Sequence, residues 1–407
     1  MKLLHTSDWH LGKRLDSFSR IEEQREVLDE IARIADEQAV DAILVAGDLF
    51  DTFNPPTEAV DLFYRSLKKM SCNGQRPIIA IAGNHDSPDR IESPDPLARE
   101  CGIIFVGYPN SVVPCFTLDS GLQVLQSSEG VVELKLPRCE DPLRILHTSY
   151  ANEFRMKTYL GSDDSEQELR SLLSARWQAQ VEKYCDSKGC NILLSHLFFI
   201  KEGAELPEEP DDEKPILHVG GAQAIFSGNV PKGLQYVALG HLHRKQVVDM
   251  EPCPIAYSGS PLSYSFAEAN QQKFVLVVDL EPAGNATITE IPLAKGRRLL
   301  RYRADGVEAA VVWLRENTEA LVELTLTSDT YITAQERKLL AEAHPNIINV
   351  IPDIKNGELI MAQRSTADLS RKIEELFSDY FIREKGQQPS ESLMALFKEI
   401  LAEEDEQ

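Results

Sequence analysis

Apolar and polar positions along the first 110 residues follow two alternating periods. Short apolar runs, typical of buried strands, occupy residues 3–6, 42–46, 78–82 and 103–106. Between them, residues 21–38 and 58–70 carry apolar side chains at helical spacing. This alternation of strands and helices predicts a largely parallel sheet covered by helices.

The rest of the chain changes character twice. Residues 111–150 show short strand patterns with glycine and proline turns, and a helix pattern follows at 165–184. Further strand patterns fall at 192–195, 236–239, 256–258, 274–280 and 286–291. From 299 to 351 the pattern runs strand, helix, strand, helix, strand, and amphipathic helices are predicted at 367–383 and 390–403. We therefore expect a main domain at 1–293, a small α/β domain at 294–365 and a helical segment at 366–407.

Composition describes a soluble globular protein. Hydrophobic residues make up 43% of the 407 positions and charged residues 26%. No apolar run approaches the ~18 residues of a membrane helix, and the start of the chain turns polar too early for a signal peptide. Seven cysteines without a C-x-x-C pair favour reduced thiols. The close pair Cys185 and Cys190 allows a redox switch or half a zinc site, but no second half exists. We expect a cytoplasmic protein.

The net charge of −23 argues against a protein that binds nucleic acid by itself, because phosphate contacts need lysine and arginine. The acidic excess is concentrated at residues 202–213 and 403–406, whereas residues 295–303 are strongly basic. Metal ions would neutralise any carboxylates that bind them. If this chain acts on DNA, its own affinity for DNA should be weak.

Polar residues with metal-binding chemistry follow five of the apolar strands. The clusters are Asp8 with His10, Asp48 with Asp51, Asn84-His85-Asp86, His196, and His241 with His243. Residues i and i+2 of an extended segment point the same way, so such pairs can hold one cation together. Each cluster alone is a weak signal. All five, however, lie at the carboxyl ends of strands, where α/β sheets gather ligands into one crevice.

The ligand types narrow the metal. Imidazole and carboxylate groups with one amide oxygen and no thiolate suit Mn²⁺, Fe²⁺ or Zn²⁺, but not a cysteine-type structural zinc site. The seven candidates are Asp8, His10, Asp48, Asn84, His196, His241 and His243. Seven ligands are too many for one ion and natural for two ions that share one carboxylate. Two such ions can hold a hydroxide and clamp a phosphate for in-line attack.

This ordered set of motifs resembles the calcineurin-like metallophosphoesterase superfamily over residues 1 to about 270. More narrowly, residues 5–12, 236–243 and 257–266 resemble the SbcD family, the nuclease subunits of bacterial SbcCD complexes. The unit after residue 295 and the final helix resemble that family's capping domain and partner-binding tail. The resemblance implies an α/β fold, a four-layer α/β/β/α sandwich with a small α/β capping domain and C-terminal helices.

The resemblance also implies roles for the site residues. One metal would be held by Asp8, His10, Asp48 and His243, and the other by Asp48, Asn84, His196 and His241, with Asp48 bridging. The metals implied are two Mn²⁺ ions, with Mg²⁺ or Fe²⁺ as alternatives.

His85 would contact the scissile phosphate, and either stabilise the transition state or protonate the leaving 3′-oxygen. Asp86 would orient His85 through its other ring nitrogen. Asp51 is either a group that supports a ligand or a helix cap, and Trp9 either shapes the DNA path or packs in the core.

The other histidines are given ordinary roles. His5 and His147 are expected in the core or hydrogen-bonded to backbone. His218 and His344 are expected in loops.

The function implied is a metal-dependent DNA nuclease in repair and recombination. Its activities would be a 3′→5′ exonuclease on double strands and an endonuclease on single strands and hairpins. It would act as a homodimer within a heterotetramer with an SbcC-type coiled-coil ATPase. The chain has no P-loop of its own.

The apolar stripe of the last helix comprises Leu393, Leu396, Phe397, Ile400 and Leu401. It has the form of a helix that docks in a partner's groove, or one that packs on its own core. A partner with a cationic DNA track would account for the negative charge of this chain. The alternatives are a small-substrate phosphodiesterase or protein phosphatase, and a DNA-end tether without catalysis.

Overall fold

The computed structural model describes residues 1–354 except 17, 157–164, 205–223 and 329–331, together with four isolated positions further along, Phe377, Leu393, Met394 and Phe397. Apart from those four positions, the expected helices at 367–383 and 390–403 lie outside the described residues.

The amino-terminal part confirms the predicted alternation of strands and helices. Its elements are β1 Lys2–Thr6, β2 Arg14–Leu15, β3 Phe18–Ser19, α1 Ile21–Glu37, β4 Ala42–Ala46, α2 Thr57–Met70, β5 Ile78–Ile81, α3 Pro88–Glu92, α4 Asp95–Arg99 and β6 Ile103–Val106. β1, β4, β5 and β6 pair in parallel.

The middle part is richer in strands, as its sequence pattern predicts. Its elements are β7 Gln123–Ser128, β8 Val131–Lys135, β9 Leu143–Thr148, α5 Glu153–Met156, α6 Ser165–Tyr184, β10 Cys190–His196, β11 Phe199–Ile200, β12 Ile225–Phe226, β13 Tyr236–Gly240, β14 Gln246–Asp249, β15 Ile255–Tyr257, β16 Phe274–Asp279 and β17 Thr287–Pro292.

These strands form two large sheets. The first has the order β17-β16-β1-β4-β5-β6, and the second has the order β14-β15-β13-β10-β9-β8-β7. The last two strands of this part, β16 and β17, return to extend the first sheet on its antiparallel side.

Side chains that alternate along the strands build three separate apolar layers. Ile43 and Val45 of β4 pack with α1 and α2, whereas Leu44 of the same strand faces the second sheet. In β10, Leu194 faces the first sheet and Leu193 packs against α6. Because successive strand residues point to opposite faces, each sheet is buried on both sides. The result is the four-layer α/β/β/α sandwich.

A smaller unit follows the sandwich. Its elements are β18 Leu299–Asp305, α7 Val307–Glu316, β19 Leu321–Ser328, α8 Ala334–Ala343 and β20 Ile347–Ile354. The three strands pair in parallel in the order β18-β19-β20. They enclose an apolar core with both helices, as the sequence pattern predicts. Among the described helices, none has the length and apolar character needed to cross a membrane.

Candidate metal centre

Asp8 and His10 lie in the loop after β1, which runs beside the loop after β4. The Asp8 amide donates to the Gly47 carbonyl at 2.9 Å, and the His10 amide donates to the Asp48 carbonyl at 3.0 Å. The three residues among these that are not glycine adopt positive φ angles, 53° at Asp8, 43° at His10 and 49° at Asp48. Non-glycine residues adopt such angles only where surrounding structure holds them, and functional sites are where such strain gathers.

Asp48 lies at the middle of the cluster. Its Oδ2 atom is 3.5 Å from His10 Nε2 and 3.4 Å from His196 Nε2. Its Oδ1 atom accepts a hydrogen bond from the His85 amide at 2.9 Å. Gly83 permits this approach, because a Cβ there would overlap Asp48. One carboxylate thus faces candidate ligands from both large sheets.

The first group of donors comprises Asp8, His10 and His243, whose ligand atoms lie within 4.8 Å of one another. The Nε2 atoms of His10 and His243 are 3.0 Å apart. Two donors at about 2.1 Å from one cation and at right angles to each other would be about 3.0 Å apart. The donor set and its spacing therefore fit a divalent ion.

The second group joins the two sheets. Asn84 Oδ1, at the end of β5, lies 3.0 Å from His196 Nε2 and 3.1 Å from His241 Nδ1. His196 Nδ1 donates to the Ala46 carbonyl at 2.8 Å, which directs Nε2 to the cluster. Asp8, Asp48 and His196 also form a group within 4.8 Å. All seven predicted ligands therefore converge on one place.

The electrostatics of the cluster favour cation binding. Burial raises the pKa of Asp8 to about 6, and it lowers the pKa of His10 to about 4 and that of His241 to about 3. Burial would also lower the pKa of His196, but Asp48 raises it to about 9. In turn, His196 overcomes the effect of burial and holds the pKa of Asp48 well below its usual range. These shifts favour a proton on His196 beside the ionised Asp48 carboxylate. A cation between the two side chains would take the place of that proton.

Asp86 does not orient His85, so that prediction is wrong. Its buried carboxylate accepts backbone hydrogen bonds from Gly83 at 2.8 Å, Leu49 at 3.0 Å and Phe50 at 2.9 Å. The turn after β5 directs the side chain away from its neighbour and towards these amides. Asp86 therefore fastens the loop after β4 to the loop after β5, and burial raises its pKa to about 6.

Asp51 provides the support that was expected of Asp86. Its carbonyl oxygen lies 2.8 Å from His85 Nδ1, which must donate because a carbonyl can only accept. Its carboxylate lies 2.9 Å from Lys13 Nζ and 3.5 Å from His10 Nδ1. The helix-cap alternative is excluded, because α2 begins at Thr57 and Pro56 precedes it. The Asp51 carboxylate lies beside the candidate ligand His10, as the alternative of a group that supports a ligand predicts.

Arg155 of α5 is a supporting residue that the sequence analysis missed. Its buried guanidinium donates to the Gly83 carbonyl at 2.7 Å and to the Asp86 carbonyl at 2.8 Å. It thereby grips the turn that carries Asn84 and His85. No motif surrounds Arg155 in the sequence, and its partners lie about 70 positions away.

Glu268 is a second supporting residue that was missed. It is buried, and its Oε1 atom lies 3.3 Å from His243 Nδ1 and accepts the Tyr264 amide at 3.0 Å. Lys273 Nζ bonds to its other oxygen, and also donates to the His243 carbonyl at 3.0 Å. Burial would raise the pKa of Glu268, but Lys273 and His243 hold it well below its usual range. The one sequence signal was its position just after the family-like segment 257–266.

His5 and Trp9 have structural roles. His5 is buried and bonds to Tyr236 Oη at 2.8 Å and the Leu239 carbonyl at 3.1 Å, as expected for a core histidine. Trp9 is fully buried, so the DNA-path interpretation is wrong. Its indole donates to Thr6 Oγ1 at 3.0 Å, which is a packing role.

Two further described histidines and the cysteines are not among the candidate ligands. His147 is buried in β9, as predicted, and His344 follows α8 with Nε2 3.0 Å from the Asn317 carbonyl. His218 lies outside the described residues. The seven cysteines are all free thiols, so no disulfide joins Cys185 to Cys190.

Comparison with known proteins agrees with this geometry. Residues 1–245 match the calcineurin-like phosphoesterase family. The chain is 34% identical to the SbcD protein of the SbcCD nuclease from Bacillus subtilis (strain 168), over 100% of this chain and 99% of that protein. It is 28% identical to the protein of the same name from Escherichia coli (strain K12), over 93% and 92% of the two chains. The chain belongs to the calcineurin-like phosphoesterase family and, within it, to the SbcD family of nuclease subunits.

Proposed function

We propose that this chain is the catalytic subunit of a two-metal DNA nuclease. One ion would be held by Asp8, His10, Asp48 and His243, and the other by Asp48, Asn84, His196 and His241, with Mn²⁺ as the ion in both places. The observation that carries the proposal is the position of Asp48 Oδ2, about equally far from imidazoles of two different sheets. Such a dinuclear site suits the hydrolysis of phosphodiesters.

The residues of the chain then take distinct parts in the reaction. Metal ions held by these seven side chains would, when bound, activate a water for attack and offset the negative charge of the phosphate. Because His85 Nδ1 donates to the Asp51 carbonyl, Nε2 is the ring atom left to face a substrate. In its protonated form, Nε2 donates to the phosphate or to the leaving 3′-oxygen. The Asp51 carbonyl holds the His85 ring, and Asp86 and Arg155 hold the turn that carries it.

The finer activity follows the resemblance set out above. We propose a 3′→5′ exonuclease on double-stranded DNA and an endonuclease on single strands and hairpins. The sandwich at 1–293 would carry the chemistry, and 294–365 would form the capping domain. Residues 366–407 would bind an SbcC-type ATPase in a cytoplasmic heterotetramer that contains two copies of this chain. A partner that supplies cationic side chains for DNA would fit the net charge of −23, because acidic residues outnumber basic residues in this chain.

The test is cleavage of end-labelled hairpin and duplex DNA in Mn²⁺ or Mg²⁺, with and without the ATPase partner and ATP. We expect cleavage in Mn²⁺ that the partner and ATP increase. His85→Gln should lose cleavage by about 100-fold or more, the size of a lost proton donor, but should still bind Mn²⁺ in a calorimetric titration. His344→Gln is the control, because the His344 ring contacts the Asn317 carbonyl in the smaller unit.

Other outcomes separate the alternatives. Hydrolysis of bis-p-nitrophenyl phosphate without any cleavage of DNA would favour a small-substrate phosphodiesterase. A DNA-end tether would keep its cellular role when His85 is replaced by glutamine.

A further inference from the structure

Two exposed phenylalanines stand out on the described surface. Among the large hydrophobic residues exposed there, the aromatic ones are Phe53, at 52% exposure, and Phe154, at 83%. Single exposed aliphatic residues are common on soluble proteins. Both of these aromatic rings, however, are close in sequence to residues that hold the turn carrying His85.

Phe53 is tied to His85 through Asp51. The Asp51 carbonyl is bonded to His85 Nδ1 at 2.8 Å, and two residues further along, the Cα of Phe53 lies at most ~7.6 Å from that of Asp51. Two cationic side chains contact residues that are close to Phe53 in the sequence. Lys13 Nζ is bound to the Asp51 carboxylate at 2.9 Å, and Arg90 Nη2, which is exposed, reaches Asn54 Oδ1 at 3.2 Å. This side of the site offers both an aromatic ring and positive charge.

Phe154 approaches the same turn from another segment. It precedes Arg155, whose guanidinium is fixed on the Gly83 and Asp86 carbonyls at 2.7 and 2.8 Å. Those contacts join the residue next to Phe154 to the turn that carries His85. The phenylalanine ring itself projects into solvent. Two rings from separate segments are therefore tied to the turn on which the proposed phosphate contact lies.

We propose that Phe53 and Phe154 stack on unpaired nucleobases on either side of the scissile phosphate. This inference rests on the proposed nuclease function. It identifies two side chains of the protein that would favour DNA with unpaired bases. A base in an intact duplex has both faces covered by its neighbours, whereas an unpaired base exposes a face to an aromatic ring. Stacking does not depend on base identity. Lys13 and Arg90 would then neutralise the charge of the adjoining phosphates.

The experiment uses the full-length chain with its ATPase partner and measures kcat and KM on a hairpin with an unpaired loop. Phe154→Leu and Phe53→Leu keep an apolar side chain but remove the ring. Each should raise KM about tenfold, the size of one lost base–aromatic stack. Phe154→Trp should retain the wild-type KM. Val312→Ala, which alters a residue 63% exposed on α7, is the surface control.

Abasic substrates and a fluorescent base make the test specific. An oligonucleotide without bases beside the scissile bond should raise KM for the wild type, and Phe154→Leu should add no further loss on it. In the His85→Gln background with Mn²⁺, 2-aminopurine at those positions should be quenched by the wild-type rings and not by the leucine variants.

Three results would overturn the inference. They are leucine variants with wild-type KM, losses that add fully to those of abasic DNA, and weaker binding of the ATPase partner in place of DNA. Failure of the nuclease proposal would look different. The wild type would then not cleave DNA in Mn²⁺, while the quenching of 2-aminopurine would still report whether the rings bind bases.

Discussion

Three imidazoles of the candidate metal centre are supported in two different ways through their Nδ1 atoms. His243 defines one side of the comparison, and His196 with His85 defines the other. On one side, His243 Nδ1 lies 3.3 Å from the carboxylate of Glu268. On the other side, the Nδ1 atoms of His196 and His85 each lie 2.8 Å from a backbone carbonyl, of Ala46 and Asp51 respectively. A carboxylate makes its imidazole a more basic ligand, whereas a carbonyl fixes the ring orientation without adding charge.

Because of this difference, substitutions can remove the support of His243 directly, but they can alter the support of His196 and His85 only indirectly. The His243 side depends on a buried ion pair, Glu268 with Lys273, whose members can be replaced one at a time. The His196 and His85 side depends on main-chain atoms, which no substitution removes directly. There the supporting side chains that are open to change, Arg155 and Asp86, act on the backbone. Mutations that change one side more than the other would therefore test this comparison.

Loss of the shared carboxylate should remove the difference between the sides and have the largest effect. Asp48→Asn keeps the shape but weakens the group that faces both donor sets. We expect cleavage to fall on the order of a thousandfold, since metal catalysis contributes several kcal/mol and each 1.36 kcal/mol is tenfold. Mn²⁺ at about 100 times its Kd should stabilise the wild type by ~2.7 kcal/mol. The variant should show much less of this shift in thermal melting, and an unchanged shift would contradict the bridging role.

Glu268→Gln should weaken the His243 side alone. We expect Mn²⁺ affinity to fall by about 10- to 100-fold, which is typical for loss of a carboxylate behind a histidine ligand. The single variant also leaves Lys273 buried without its partner, which costs about 3–5 kcal/mol of stability. Glu268→Gln with Lys273→Met should recover much of the stability but not the metal affinity. Calorimetric titration and thermal melting of both variants separate the two effects, and recovered affinity in the double variant would show that the role is only structural.

Arg155→Lys should have the smallest effect, on the side supported by backbone. A single ammonium group cannot match the fork that reaches two carbonyls. We expect kcat to fall about tenfold, about 1.4 kcal/mol, with KM less changed, because the turn that positions His85 loosens. Arg65→Lys, which alters an exposed ion pair on α2, is the matched control. Equal losses in kcat and in Mn²⁺ affinity would instead place Arg155 with the metal ligands.

The sequence predicted which side chains the structure brings together as candidate ligands, because their signal is local. Apolar strands followed by paired polar residues predict where each donor stands, and the strand ends of both sheets do meet. Helices such as Ser165–Tyr184 and Val307–Glu316 begin and end where the pattern predicts. The supporting residues were missed because their contacts depend on packing between distant segments. Asp86 was assigned to His85 because the two are adjacent in sequence, yet the turn directs the carboxylate elsewhere.

The two large sheets also touch through their backbones near the centre. Gly240, at the end of β13, lies against the Ala46 carbonyl of β4 so closely that a Cβ there would overlap it. The proposed ions draw Asp48 and Asn84 from one sheet, and His196 and His241 from the other. Bound metal would therefore add a cross-link between two layers that apolar packing and a few hydrogen bonds, such as that from His196 Nδ1 to the Ala46 carbonyl, already join. The protein would then be mechanically stiffest at the proposed site of cleavage.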